Sequence, residues 1–173
     1  LANNDGREYI ETQLSAPLVV GRKYCVEFYV SLANASMYGI DAIGVCFSTD
    51  SVLDNTGFYP LLSSYTPNIS NASNNIIIDT VGWSLVSGIY FASGGEKFIT
   101  IGNFNNNAGT DTSVVNSAGS GSYFYIDDVS VYGCDTSSIE IPNVFTPNGD
   151  GINDVFLINN TALETLHYEI YNR

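Results

Sequence analysis

The stretch YCVEFYVSL, residues 24–32, has an apolar side chain at every second position. Because successive side chains of a strand point to opposite faces, this period of two predicts a strand with one buried face. Ile43, Val45 and Phe47 repeat the pattern. Further strands are predicted at Arg7–Leu14, Asn75–Asp79, Trp83–Ala92, Lys97–Asn103 and Ser122–Tyr132. Turns rich in Gly and Asn separate them, which predicts an all-β fold, an antiparallel β-sandwich of the jelly-roll kind.

Charge and composition exclude several classes of partner. The 173 residues include 5 Lys and Arg against 18 Asp and Glu, which gives a formal net charge of −13. Nucleic-acid binding needs a basic footprint, so no nucleic-acid partner is expected, and anionic lipid is excluded for the same reason. No apolar run approaches the ~20 residues that span a bilayer, so no membrane insertion is expected.

The chain is expected to hold one domain and part of a second. Residues 135–138 follow the last predicted strand and are small and polar, as in a linker. Residues 1–134 would form the jelly roll, and residues 139–173 are too few for a stable core of their own. Leu1 is not the start of a natural reading frame, so we expect one or more N-terminal strands to be missing and the second domain to be truncated.

The second segment contains the most specific motif of the sequence, IPNVFTPNGDGINDVF at Ile141–Phe156. It closely resembles the start of the gliding-motility-associated C-terminal domain of Bacteroidetes-type bacteria, the type B sorting domain of type IX secretion. The resemblance implies handling by the type IX secretion machinery and an extracellular or cell-surface location.

The first segment resembles carbohydrate-binding modules of the calcium-containing β-sandwich type. The motifs that carry the resemblance are Tyr123–Val131, Trp83–Gly88 and Gly102–Phe104. It implies a polysaccharide or cell-surface glycan as partner and a structural Ca²⁺, held in part by Asp127 or Asp128. Adjacent strand residues face opposite ways, so one of these two carboxylates is expected to point inward unless a bulge intervenes. A bound cation would then offset its burial.

A second candidate metal site is the loop Asn148–Asp154. Asp150 and Asp154 supply oxygen ligands at a spacing that calcium loops use, and glycine permits a tight backbone. The loop has no closing Glu and differs from the EF-hand pattern. The alternative interpretation is an ordinary Asn-Gly/Asp-Gly turn.

The chain has three cysteines, and we expect two of them to form a disulfide bond. Cys25 and Cys46 lie on successive predicted strands and are placed symmetrically about a predicted turn at residues 34–38. Residues so placed in a hairpin face each other at close to disulfide distance, so we predict a Cys25–Cys46 bridge, with two free thiols as the alternative. Cys134 is then left over.

The candidate ligand-binding residues are exposed aromatic and amide side chains, which sugar recognition needs. They are Tyr29, Tyr38, Tyr59, Tyr65, Asn103 and Asn105. Trp83 shares its parity with Leu85, and we expect it in the core. His167 is the only histidine and no nucleophile or metalloprotease motif is present, so we expect no enzymatic activity.

These observations predict a non-catalytic secreted or cell-surface binding module, plausibly for polysaccharide. The alternative is a structural or adhesive surface or filament subunit. Its exposed sheet edges would be completed by strand exchange with neighbouring copies of itself.

Overall fold

The computed structural model describes residues 6–53, 61–134, 146–151 and 154–155. The chain divides into two compact units, Leu1–Cys134 and Asp135–Arg173. The predicted linker and most of the segment after it lie outside the described residues. The regular elements described below all belong to the first unit.

The described part of the first unit is all-β, as predicted, and its regular elements are nine strands and one turn of 3₁₀-helix. The strands are β1 (Tyr9–Gln13), β2 (Lys23–Leu32), β3 (Tyr38–Ile40), β4 (Ile43–Ser48), β5 (Ile69–Ser70), β6 (Ser84–Phe91), β7 (Phe98–Asn103), β8 (Thr112–Val114) and β9 (Phe124–Gly133). They form a four-stranded sheet β1-β7-β4-β5, a three-stranded sheet β6-β2-β9 and a small β3-β8 pair. Every pairing among them is antiparallel.

The alternating stretch at residues 24–32 is the centre of the three-stranded sheet. Its even-numbered side chains, such as Val26, Phe28 and Val30, are almost fully buried. They pack against residues of the opposite sheet that include Val45 and Ile101. Burial of apolar surface at about 25 cal/mol per Å² is the main source of stability for such a core. The two large sheets therefore form the predicted sandwich.

The four-stranded sheet extends beyond its partner on one side. β5 lies against β6, where the side chain of Ile69 fills the space beside Gly88. At the other side, Ile10 of β1 pairs with the core residue Ile101 and so faces the space between the sheets. Ile10 is nevertheless 56% exposed, because the three-stranded sheet ends at β9 and no strand among the described residues faces β1.

Several short elements differ from the sequence prediction. Residues 75–79 were expected to form a strand, but they make a single bridge, Ile77 to Ile40. The expected turn at residues 34–38 leads into β3, which pairs with β8, a segment for which no strand was predicted. β5 has two residues. These pairings depend on long-range contacts and leave little trace in local periodicity.

The predicted Cys25–Cys46 bridge is wrong. Cys25 forms a disulfide with Cys134, with 5.0 Å between the Cα atoms, and Cys46 is a buried free thiol. The prediction assumed that successive alternating stretches form a hairpin, but β2 and β4 belong to different sheets. β9 is the true neighbour of β2, and the Cys134 N–H donates to the Lys23 carbonyl at its end. Burial raises the pKa of the Cys46 thiol.

Candidate functional site

The outer face of the four-stranded sheet is covered by loops. The Glu11 carboxylate accepts hydrogen bonds from the Val52 N–H (2.9 Å), the Thr100 hydroxyl (2.9 Å) and the Ser51 hydroxyl. The Tyr9 hydroxyl accepts one from the Leu62 N–H at 3.1 Å. Thr100 points outward from β7 and is fully buried. This face therefore offers little surface to a ligand.

On the outer face of the three-stranded sheet, the part of the chain that the structure describes leaves large side chains exposed, and we call it the open face. Six large side chains stand on it with exposed fractions from 48% to 62%: Trp83, Leu85, Ile89, Phe91, Tyr125 and Tyr132. Tyr29 stands among them on the central strand, partly buried by its neighbours. Large exposed apolar side chains gathered on one face are candidates for an interaction site.

The register orders the open face into rows that run across the strands. Three successive rows are Leu85–Tyr29–Asp127, Ser87–Glu27–Ser130 and Ile89–Cys25–Tyr132. Trp83 precedes the first of these rows on the β6 side, and Phe91 follows the last. The face thus has an apolar zone at each end and a polar row with the Glu27 carboxylate between them.

The expectation that Trp83 lies in the core is wrong. It does share its parity with Leu85, but that parity faces outward, and Trp83 is 48% exposed. The register of β6 with β2 determines which of its alternate residues face the core, and it places Val86 beside the buried Phe28. Both parities of β6 carry apolar residues, so alternation alone could not decide between its two faces.

Among the predicted ligand-binding residues, Tyr29 lies on the open face. Tyr38 is 37% exposed on β3, which pairs with β8 in the separate small sheet. Tyr65 is half-buried in the loop before β5, and Tyr59 lies outside the described residues. Tyr29, Tyr38 and Tyr65 therefore lie on different parts of the described fold.

Asn103 and Asn105 organise the loop after β7 through their own hydrogen bonds. Asn103 is buried, its side-chain amide donates to the Thr110 hydroxyl (3.0 Å), and its oxygen accepts from the Asn105 N–H (2.8 Å). The Asn105 amide donates to the Gly109 carbonyl at 2.9 Å. Asn103 is thus a structural residue, which corrects its assignment as a ligand contact.

A small polar cavity lies beside the same loop. Its volume is about 50 Å³, and Asp41, Asn71, Ser73 and Asn105 contribute to its lining. The buried Asp41 carboxylate accepts from the Asp111 N–H (2.8 Å) and the Asn74 N–H (3.2 Å). These bonds satisfy the carboxylate within the fold, and the cavity is far smaller than the 300–1,000 Å³ typical of ligand pockets.

The paired acids Asp127 and Asp128 lie at a β-bulge. The register shifts between Glu27 and Tyr29, so Asp128 and Val129 together oppose Phe28. Asp128 has a φ of 49°, and its N–H donates to the Asp127 carboxylate at 2.8 Å. Both carboxylates are exposed, so the expected inward-pointing acid is absent from this pair and burial gives no reason for a cation.

The described residues contain no group of three or more His, Cys, Asp and Glu side chains that could hold a metal ion. The calcium site implied by the resemblance therefore stays a prediction, with Asp127 or Asp128 as its candidate ligands.

The loop at residues 148–154 has the hydrogen bonds of a turn. The Asp154 carboxylate accepts from the N–H groups of Asn148 (3.0 Å), Gly149 (2.7 Å) and Gly151 (2.7 Å). The bonds from Gly149 and then Gly151 hold the pKa of Asp154 below the usual range of an aspartate. Both glycines have φ near +80°, as such turns require. This geometry favours the turn over the calcium loop for the described part of the segment.

The exposed open-face residues that sequence reasoning did not select as candidates are Trp83, Leu85, Ile89, Phe91, Tyr125 and Tyr132. The signal was present, because β6 has large side chains at three positions of one parity, Trp83 precedes it with the same parity, and β9 has tyrosines on both sides of its acids. What was lacking was the strand order that brings them to one face.

Comparison with known proteins identifies the C-terminal segment. Neither the curated proteins nor the solved structures contain a match to the chain. The described residues contain no helix of the length and hydropathy needed to cross a membrane. Residues 139–173 match the CHU_C type IX secretion signal domain, which confirms the resemblance to a type IX sorting domain and implies export toward the cell surface or the extracellular space.

Proposed function

We propose that the first unit is a non-catalytic binding module of an exported protein and that it holds polysaccharide on the open face. The observation that carries the proposal is the set of six large side chains that are about half exposed on this one bare face. The secretion signal supports a setting in which cell-surface and extracellular polysaccharides are available.

Binding would combine stacking with hydrogen bonding. The aromatic rings of Trp83, Tyr29 and Tyr125 offer apolar surfaces on which the C–H faces of sugar rings pack. Glu27 and Asp127 stand between or beside the rings and accept hydrogen bonds from sugar hydroxyls, which are strengthened by the carboxylate charge. No bond of the ligand breaks in this mechanism.

The non-catalytic part of the proposal rests on the shape of the surface. Glycosidases use two carboxylates on either side of the scissile bond, about 5–10 Å apart. Glu27 and Asp127 are on neighbouring strands, but both belong to a bare sheet face that does not enclose a substrate. Incubation with each retained polymer should therefore release no reducing ends, whereas time-dependent release would show hydrolysis.

The binding proposal is tested by retention on a panel of soluble and insoluble polysaccharides. We expect at least one polymer to retain the protein, and we expect Trp83→Ala and Tyr125→Ala each to weaken retention threefold or more. Tyr38→Ala is the matched control, because Tyr38 is an exposed tyrosine that belongs to the separate small sheet. Retention by no polymer, or loss in the control alone, would contradict the proposal.

The structural Ca²⁺ remains part of the proposal on the strength of the resemblance. If Asp127 or Asp128 holds a structural ion, EDTA should lower the thermal unfolding temperature, and added Ca²⁺ should restore it. The same effect should disappear in the Asp127→Asn, Asp128→Asn double variant. An unfolding temperature that does not respond to EDTA would remove the ion from the proposal.

A second candidate function is favoured by the exposed Ile10. Its side chain faces the space between the sheets beyond the edge of β9, where one further strand would cover it. A strand donated by a neighbouring copy would pair with β9 and make the protein a subunit of a structural or adhesive assembly. The exposed carboxylates of Asp127 and Asp128 work against this, because they place negative charge in the middle of that edge.

Sedimentation at rising protein concentration tests this second candidate. An increase in particle mass with concentration that is seen for the native chain and not for Ile10→Lys would support strand exchange. A monomer throughout the range, for both the native chain and the variant, would reject it. Polysaccharide retention is measured separately, so the two candidate functions are not confused.

A further inference from the structure

We infer that the open face selects an extended, uncharged polysaccharide chain that lies along the strands and contacts both apolar zones at once. This inference rests on the proposed function and adds the length and the charge of the ligand to it. Its grounds are the spacing of the two zones, the carboxylates between and beside them, and the position of the cationic side chains.

The two zones are separated along the strand direction. The first zone contains Trp83, Leu85, Tyr29 and Tyr125, and the second contains Ile89, Phe91 and Tyr132. Leu85 and Ile89 are four residues apart on β6, which corresponds to about 13 Å of strand at about 3.3 Å per residue. By the same measure, the span from Trp83 to Phe91 is about 26 Å. A single sugar ring covers one zone at most, whereas an oligosaccharide of several units reaches both.

Contact with both zones makes affinity depend on ligand length. Once a chain is bound at one zone, its continuation meets the second zone at an effective concentration in the millimolar range. Each further contact then adds affinity without the full cost of bringing two molecules together. Affinity should therefore rise with chain length until the ligand spans the face and then level off.

The charges of the face select against anionic polymers. Glu27 lies in the polar row between the zones, and Asp127 and Asp128 lie beside it on β9. β2, β6 and β9 contain one cationic residue, Lys23, and its ammonium group lies 5.4 Å from the centre of the Phe91 ring at one end of the face. Arg22 is at that same end, next to Gly133. A polyanion that lies along the strands would thus bring its negative charges closer to these carboxylates than the Debye length of about 8 Å. Salt would therefore screen the repulsion between them only in part.

Uncharged polymers are favoured by the same carboxylates. Glu27 accepts hydrogen bonds and cannot donate them while it is ionised, and the hydroxyl groups of a neutral sugar supply the donors. Uronic acid polymers carry carboxylates of their own, and these would be repelled by the Glu27 carboxylate in the polar row, where neutral sugars would form hydrogen bonds. The net charge of −13 adds to this discrimination at low ionic strength.

The test is isothermal titration of the whole chain with neutral β-glucan oligosaccharides of two to eight units, with the corresponding polymers, and with alginate and pectate. We expect at least tenfold tighter binding of the octamer than of the dimer. In the Phe91→Ala, Tyr132→Ala double variant this gain should disappear, so that the octamer and the dimer bind with similar affinity. Both side chains are at least half exposed, so the variant should keep the fold, which circular dichroism can check.

The charge arm of the test uses Glu27→Gln, which keeps the size of the side chain. Alginate and pectate should bind at least tenfold more weakly than the neutral polymers, and both Glu27→Gln and added salt should reduce that difference. Equal affinity for the dimer and octamer, or a preference for the anionic polymers, would overturn this inference and leave polysaccharide binding intact. Failure of every carbohydrate to bind, or capture of a protein on the same face instead, would overturn the proposed function as well.

Discussion

Reduction of the Cys25–Cys134 disulfide should lower the free energy of unfolding of the first unit by several kcal/mol. The two cysteines are 109 residues apart, so the bond closes a loop that contains most of the unit. In the chain-entropy treatment a loop of that length restricts the unfolded state by about 4.8 kcal/mol at 25 °C. Native disulfides of small exported domains contribute about 2–5 kcal/mol, so we expect a loss within that range.

Urea unfolding of the oxidised and reduced chain measures this loss. With a slope of about 2 kcal/mol per M, the middle of the usual range, the midpoint should fall by roughly 1–2.5 M on reduction. The Cys25→Ser, Cys134→Ser double variant should unfold at the midpoint of the reduced native chain and should not respond to reductant. Alkylation before and after reduction, followed by peptide mapping, verifies which thiols are released.

Cys46→Ser is the control that separates the two possible pairings. Cys46 is buried on β4 as a free thiol, so its replacement can change stability, but the difference between oxidised and reduced protein should persist. If the difference disappears in Cys46→Ser, the Cys25–Cys134 pairing is wrong. If reduction releases the Cys25 and Cys134 thiols without moving the midpoint, the loop-closure reasoning is refuted.

Three further measurements address other parts of the chain. Hydrogen bonds from the Tyr90 hydroxyl and the neighbouring backbone hold the pKa of the buried Glu96 below its usual range, although burial alone would raise it. The stabilisation from Glu96 is therefore complete above the pKa that this carboxyl has in the unfolded chain, and it is lost as the pH falls through its pKa in the native protein. Urea unfolding at several pH values should therefore show that the free energy of unfolding falls less steeply with decreasing pH in Glu96→Gln than in the native chain. Ile10→Ala should cost less than about 1 kcal/mol, whereas Ile101→Ala in the core should cost about 2–5 kcal/mol, and equal costs would show that Ile10 is covered. Asp154 should titrate below an ordinary aspartate by NMR, because backbone N–H groups bind its ionised form, and a normal or raised value would contradict the turn geometry.

The existence of most long strands could be predicted from the sequence because their burial is one-sided. In the stretch at residues 24–32, apolar side chains of one parity alternate with polar or smaller ones, and the structure buries that parity. β4 was predicted from the same alternation, although in the structure loops bury its other face as well. Period two is thus a reliable signal where one face of a strand is apolar and the other is not.

The orientation of β6 could not be predicted in this way. Val86 and Tyr90 have one parity, and Leu85 and Ile89 have the other, so both faces of the strand are apolar. The choice between them is made by pairing with β2, in which Phe28 lies beside Val86. A one-residue change of register would exchange the two faces, and local sequence contains no information about register between strands that are distant along the chain.

The disulfide and the bulge show the same dependence on strand order. Cys25 and Cys46 are near each other along the chain, whereas Cys134, directly after β9, is 109 residues from Cys25. The bulge at Asp128 likewise exists only relative to β2. It turns an expected buried carboxylate into an exposed one, and this removes the physical argument for a cation that the sequence had offered.

One strand thus determines both the stability of the unit and its candidate function. The even-numbered side chains of β2 form the core, and its odd-numbered side chains Glu27 and Tyr29 form the middle of the open face. Exposed apolar groups on that face contribute less to stability than they would if buried, since they keep much of their contact with water. They would also promote self-association in a neutral protein, but at a net charge of −13 the copies repel each other. We therefore expect the acidic charge of the chain to keep the proposed binding face accessible, and we expect a large, uncharged ligand to meet the least repulsion there.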